Sequence, residues 1–282
     1  MTQGGAATVP GPARDRPTTV RLAALDLDGT VLDLDERLSE RVREAVGAAV
    51  TGGIEVVVAT GRSVQATIPV LDRLGLLTGW AVCSNGALIL RLDPELPGGY
   101  EVVAASTFDP GPALRLLHRH LPTAMYAVEN VGVGYRLTAP FPDGELTGRQ
   151  TIVPLEELMR RPTTRVIVRS PAHTPEEFLE LSQRIGLHGV NYAVGWTAWL
   201  DLAPEGVSKA SALETVRRQL GIDPTQTLAL GDGRNDLEMF GWAGWAVAMG
   251  QAVPEVIAAA DEVAPSVDED GAAVVLEDLV RR

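Results

Sequence analysis

Leu22 to Leu25 form an apolar run with no polar break, which leads straight into Asp26-Leu27-Asp28-Gly29-Thr30. A strand with one wet face alternates apolar and polar residues, whereas a run apolar on both faces belongs to a parallel sheet covered on both sides. The next segments keep that grammar. "SERVREAVGAAVTGG", residues 39–53, starts at a capping Ser39, carries a 3.6-residue apolar period and stops at Gly52-Gly53, as a helix does. "IEVVVATGR", 54–62, reads as a second strand, 63–74 as a helix, and "WAVCSNGALI", 80–89, as a third strand. The pattern returns near the end, with a helix at 209–221, a strand at 227–233, a helix start at 234–244, and short strands at 245–250 and 261–266 around the helix "VPEVIAAA". Strands alternating with helices in this way predict an α/β fold, a Rossmann-like core built on a parallel sheet.

Between the two halves the pattern changes. "YEVVAAST", "TAMYAVEN", "GVGYRLTA", "TTRVIVRS" and "VNYAVGWTAWLDL" are β-branched, aromatic or alternating, with helices expected over 110–121 and 175–187. These segments predict an α+β module inserted into the core, with the core over 19–86 and 204–282 and the insert over 87–203. Residues 1–18, small and rich in Pro and Gly, read as a disordered tail without the apolar stretch of a secretory signal.

The 37 acidic and 24 basic residues give a net charge of −13, which repels nucleic acid and anionic membranes, so neither is an expected partner. An anionic substrate would need a local device to hold it. Cys83 is the single cysteine, which excludes an internal disulfide, and a cytoplasmic protein, monomer or homodimer, is the expectation. Only Lys209 among the basic residues is a lysine; all the others are arginine. That one lysine is either a chance survivor of the bias toward arginine or a compact ammonium kept for a task that a planar guanidinium does not suit, and its neighbourhood decides between the two.

Ligands of open parallel sheets bind beyond the carboxyl ends of the strands. There the sequence places Asp26, Asp28 and Thr30, then Thr60-Gly61-Arg62, then "GDGRND" from Gly231 to Asp236, with Lys209 heading a helix. Grouped carboxylates imply a hard divalent cation such as Mg²⁺, with Thr60 and Lys209 on phosphoryl oxygens opposite it. Asp26 can then attack phosphorus, while Asp28 serves as general acid to the leaving oxygen and afterwards as general base to water. Each stretch alone has a plainer reading, as a solvated turn or a helix cap. A calcium loop is excluded, since the two aspartates sit on an apolar strand and not in a helix-loop-helix.

Taken together, "DLDGT" at 26–30, "ATGR" at 59–62, "GVSKASAL" at 206–213 and "GDGRND" at 231–236 resemble the four motifs of the haloacid dehalogenase-like phosphatases. "CSNGA" at 83–87 and the tail from Val247 resemble the Cof-type branch, which carries a large inserted α+β cap of type IIB. The resemblance implies a Mg²⁺-dependent phosphatase of small phosphate monoesters, working through an aspartyl-phosphate at Asp26. Asp26, Asp28 (by its backbone carbonyl), Asp232 and Asp236 would serve the metal, and Thr60, Gly61, Arg62, Lys209 and Asn235 the phosphate or substrate. Arg234 flanks the same stretch. A phosphomutase would use the same motifs, and a non-catalytic phosphate-binding module the same scaffold. A two-component receiver also has an acidic pocket with Thr and Lys but needs only about 120 residues. Gln251 stands where the family usually has Asn. His118, His120, His173 and His188 form no ligand set, and core packing is the expected fate of Trp196 and Trp199.

Overall fold

The structure, a computed structural model, describes residues 14–281 apart from 175, 176, 179, 181–184, 186–189 and 195–197, and of 191–194 the backbone alone. Residues 1–13 of the expected tail, most of the helix expected over 175–187, Trp196 and His188 lie outside the described residues. The chain packs as two units, one made of the chain up to Val58 and from Leu213 onward, the other of Ala59–Ala212.

In the first unit β1 (Leu22–Leu25) is buried along its whole length and pairs in parallel with β12 (Thr227–Gly231) on one side and β2 (Glu55–Ala59) on the other. Between β1 and β2 runs α1 (Glu40–Thr51), capped by Ser39, whose hydroxyl accepts the Val42 N–H at 3.1 Å. Beyond β12 lie α6 (Leu237–Trp242), β13 (Trp245–Ala248), α7 (Pro254–Ala259), β14 (Glu262–Val263) and α8 (Gly271–Val280). The register sets Leu25 beside Leu230 and Leu230 beside Val247, so the chain leaves β1, β12 and β13 at one level. That shared edge is where the carboxylates emerge.

The second unit begins with α2 (Val64–Leu74), β3 (Gly79–Cys83), β4 (Leu88–Leu92) and β5 (Tyr100–Ala105). The single strand expected over 80–89 is in fact two strands. The left-handed residues Ser84, Asn85 and Gly86 break it into β3 and the antiparallel β4. In the first unit β14, β13, β12, β1 and β2 lie side by side in that order, and in the second β4 pairs antiparallel with β3 and with β5. A second sheet, β10-β11-β9-β6-β7-β8, contains β6 (Met125–Asn130), β7 (Gly134–Leu137), β8 (Arg149–Ile152), β9 (Val166–Arg169), β10 (Val190–Val194) and β11 (Trp199–Pro204). Alternation divides its faces: Tyr126, Val128, Val166 and Leu202 pack with α3 (Gly111–His120), while Ala127, Tyr135 and Ile167 gather on the other side. Trp199 joins that second group, edge-on to Phe141. A single turn, α4 (Leu155–Leu158), follows β8.

Lys209 is the first residue of α5 (Lys209–Leu220), whose start is capped reciprocally by Ser208 and Ser211. Further along α5, Glu214 accepts bonds from Arg217, Arg218 and the Trp242 indole N–H. The Arg217 hydrogen bond, aided by Trp242 and Arg218, holds the Glu214 carboxyl down at about 2, against an ordinary 4.5. A depressed carboxyl contributes stability above its unfolded value and loses it as the pH falls toward its folded one. Thermal melts of Glu214→Gln are therefore expected to show a stability loss of about 1 kcal/mol or less at neutral pH, because the group keeps contact with solvent. The deficit should vanish between pH 4.5 and 2; one that stays constant down to pH 2 would contradict this assignment.

The stretch expected to be a disordered tail makes contacts from Arg14 on. Arg14 binds Asp261 and the carbonyls of Phe240 and Ala243, and Arg16 lies 4.1 Å over the Trp245 ring while pairing with Asp278. These two guanidiniums find acceptors that composition does not reveal.

Candidate active site

Asp26 is the first residue past β1, its N–H still donating to Leu230 O at 3.0 Å. The chain then folds back on itself: the N–H groups of Thr30, Val31 and Leu32 all donate to Leu27 O, and Gly29 N–H to Leu32 O. Gly29 has φ +76, and a Cβ there would lie 2.1 Å from Asp232 Oδ2. Only glycine lets the turn approach Asp232 so closely. Asp232 and Gly233 donate their N–H groups to Asp236 Oδ2 at 3.1 and 2.9 Å, fixing the buried Asp236 carboxylate below the loop. Carboxylate oxygens of Asp26, Asp232 and Asp236 lie within 4.8 Å of one another. Three anions this close, with Asp26 and Asp236 buried, repel one another without a cation, and an all-oxygen donor set suits a hard divalent ion.

Asp28 has an exposed side chain, and its carboxylate is not one of those three. Gln251 makes a loop contact of its own. Its amide N–H₂ donates to Gly29 O and reaches Asp232 Oδ2 at 3.5 Å, and its oxygen accepts Val267 N–H at 3.0 Å. Asn235 sits in the short 3₁₀ turn Arg234–Asp236, and Arg234 itself pairs with Glu255 at the surface.

In the second unit Thr60 is fully buried, its N–H donating to Val82 O and its hydroxyl accepting Arg62 N–H at 3.1 Å. The turn Ser84–Gly86 is bolted to this loop, with Asn85 N–H donating to Thr60 O at 3.0 Å and Ser84 N–H to Arg62 O at 2.9 Å. Gly61 packs against the Asn85 amide. On its other side the same turn meets the start of α5: a Cβ on Gly86 would lie 2.1 Å from Ser208 O and 3.1 Å from Lys209 N. Lys209 is itself buried, at 1% exposure. Ser84 and Asn85, at φ +51 and +52, each pay on the order of 1–2 kcal/mol for a left-handed backbone, so the turn depends on its anchors. Just before it, burial pushes the Cys83 thiol up to about 12, which leaves it neutral and no nucleophile.

A profile of haloacid dehalogenase-like hydrolases matches residues 23–118 and 138–276. The chain belongs to this family. As a haloacid dehalogenase-like hydrolase, it is similar to the phosphatase YwpJ of Bacillus subtilis, at 28% identity over 93% of this chain and 100% of that one. It is also similar to the HMP-PP phosphatase of Serratia proteamaculans, at 29% identity over 84% and 86% of the two chains. The subclass IIB sugar phosphatase BT4131 shares its fold, with a TM-score of 0.77 at 23% identity over 92% of this chain and 98% of that one. This hydrolase is thus an enzyme of the phosphatase kind.

Of the site residues expected from sequence, the structure brings Asp26, Asp232 and Asp236 together, and ties the Thr60–Arg62 loop and the Ser208–Lys209 helix start to one turn. Ser84 and Asn85 lie in the motif "CSNGA" with no role expected from sequence, and neither is one expected for Glu129, which accepts the Ser84 hydroxyl. The available signal was a lone carboxylate among the apolar residues of "YAVEN".

Proposed function

We propose that the protein hydrolyses small phosphate monoesters, a sugar phosphate or similar metabolite, with Mg²⁺ and through a phosphorylated Asp26. The observation that carries this reading is the gathering of Asp26, Asp232 and Asp236, with Asp26 at the tip of a buried parallel strand. Asp26, Asp232, Asp236 and the Asp28 carbonyl would hold Mg²⁺, which when bound neutralises phosphoryl charge that would otherwise repel the attacking carboxylate. The Asp26 carboxylate attacks phosphorus, and Asp28, whose side chain is exposed, gives its proton to the leaving oxygen. Asp28 then takes a proton from the water that cleaves the acyl phosphate, which restores Asp26 and releases phosphate. Thr60, Gly61, Arg62, Lys209 and Asn235 hold phosphoryl oxygens or substrate; for these the support is the likeness of their motifs. Residues 87–203 would form the cap that selects the ester.

The test is phosphate release from a panel of monoesters, with Mg²⁺ and with chelator. Release that requires the metal and favours a few small esters is expected. No release from any ester by well-folded protein would overturn the reading, and transfer to a second hydroxyl of a sugar in place of water would make the enzyme a mutase.

A further inference from the structure

Glu129, on β6, is 4% exposed. Its Oε2 accepts two hydroxyls, Ser84 Oγ and Thr164 Oγ1, each at 2.8 Å, while Oε1 is enclosed without a hydrogen-bond partner. Arg165 lies opposite on the adjoining chain, where its carbonyl accepts the Glu129 N–H, but its guanidinium goes to Asp201 through Nε and Nη2, at 2.6 and 2.9 Å, and to the Tyr135 hydroxyl. A buried carboxylate held by hydroxyls, beside an arginine whose fork is bound to another acid, is costly to keep. Packing alone would favour an apolar residue there. What distinguishes Glu129 is its reach: Ser84 opens the left-handed turn whose backbone holds Thr60 and Arg62 on one side and abuts Ser208 at the head of the Lys209 helix on the other.

We propose that Glu129 is a positioning residue, which through Ser84 fixes the Ser84–Gly86 turn and so sets both the Thr60–Arg62 loop and the start of the Lys209 helix. The proposal rests on the phosphatase reading, in which Thr60 and Lys209 hold phosphoryl oxygens. A side chain two hydrogen bonds removed from a phosphate-holding loop acts on the rate through geometry, and a small misplacement of such a loop is felt mostly in kcat.

Ser84→Ala and Thr164→Val each remove one hydroxyl from the same carboxylate oxygen, but only Ser84 lies on the turn. Ser84→Ala is expected to lower kcat about tenfold to a hundredfold with KM changed less than about threefold, while Thr164→Val keeps kcat within about twofold. Glu129→Ala should match Ser84→Ala, and the double variant should be no slower than the worse single one. Glu129→Gln, whose amide oxygen can accept both hydroxyls, should recover most of the rate. Amide hydrogen exchange at Ser84 and Asn85 should quicken in Ser84→Ala and not in Thr164→Val. Should Glu129→Ala fail to fold, Ser84→Ala still decides. Equal loss of kcat in Ser84→Ala and Thr164→Val, wild-type kcat in Ser84→Ala, or unchanged exchange at the turn overturns the proposal. Because the exchange readout needs no turnover, a wild-type protein that hydrolyses nothing would refute the phosphatase reading while leaving the link between Glu129 and the turn measurable.

Discussion

Asp26→Asn is expected to cut phosphate release by at least about a thousandfold while leaving the fold intact. The amide has the size of the carboxylate, and the backbone bond from residue 26 to Leu230 O does not involve the side chain. It has no charged oxygen with which to attack phosphorus. A second effect has the opposite sign to the usual core mutation. Removing one of three carboxylates whose oxygens lie within 4.8 Å relieves repulsion, so in chelator the variant should melt at or above the wild-type temperature. The rise in melting temperature on adding Mg²⁺ should then be smaller than in the wild type, because one anionic ligand is gone. Retention of release within tenfold of wild type would remove Asp26 from the nucleophile's role.

Gly86→Ala should destabilise the protein by more than about 3 kcal/mol, read from urea unfolding. Two costs combine at this position. The residue has φ +100, and its new Cβ would stand 2.1 Å from Ser208 O and 2.4 Å from the Ser208 carbonyl carbon, backbone atoms that cannot swing aside as a side chain can. Relief requires moving Ser208, and with it the head of the Lys209 helix, so activity should fall alongside stability. Gly53→Ala separates the two costs. Gly53 has a similar φ of +85 but open space where the Cβ would go, so it should lose only about 1 kcal/mol. Equal losses at the two positions would mean that the contact with Ser208 carries no energy.

The parallel core was legible because its signals are local: an unbroken apolar strand, a Ser cap, a Gly stop, and carboxylates where the strands end. Asp26, Asp232 and Asp236 could be grouped from sequence for that reason, since each directly follows a strand or lies in the loop just after it. Elsewhere the determinants are distant in the chain. β8 was missed because all four of its residues are exposed and show no apolar alternation. The turn at Ser84–Gly86 carries an Asn-Gly signal, but it is flanked by apolar residues that mask it as a continuous strand. Glu129 meets Ser84 and Thr164 across 45 and 35 residues, and Arg14 meets Asp261 across 247, separations that no periodicity can encode. Gln251 was noted as a departure from the family's usual Asn, yet its amide spans from Gly29 to Asp232, so the longer side chain still serves the loop.

The most direct test of the account is to quench the enzyme in acid during turnover of its best ester with Mg²⁺, and to find the phosphorylated residue by mass spectrometry of its peptides. A phosphoryl group on Asp26, formed and lost at rates compatible with kcat and absent from Asp26→Asn, is the predicted result. Steady hydrolysis with no phosphorylated residue, or with the group on any residue other than Asp26, would contradict it.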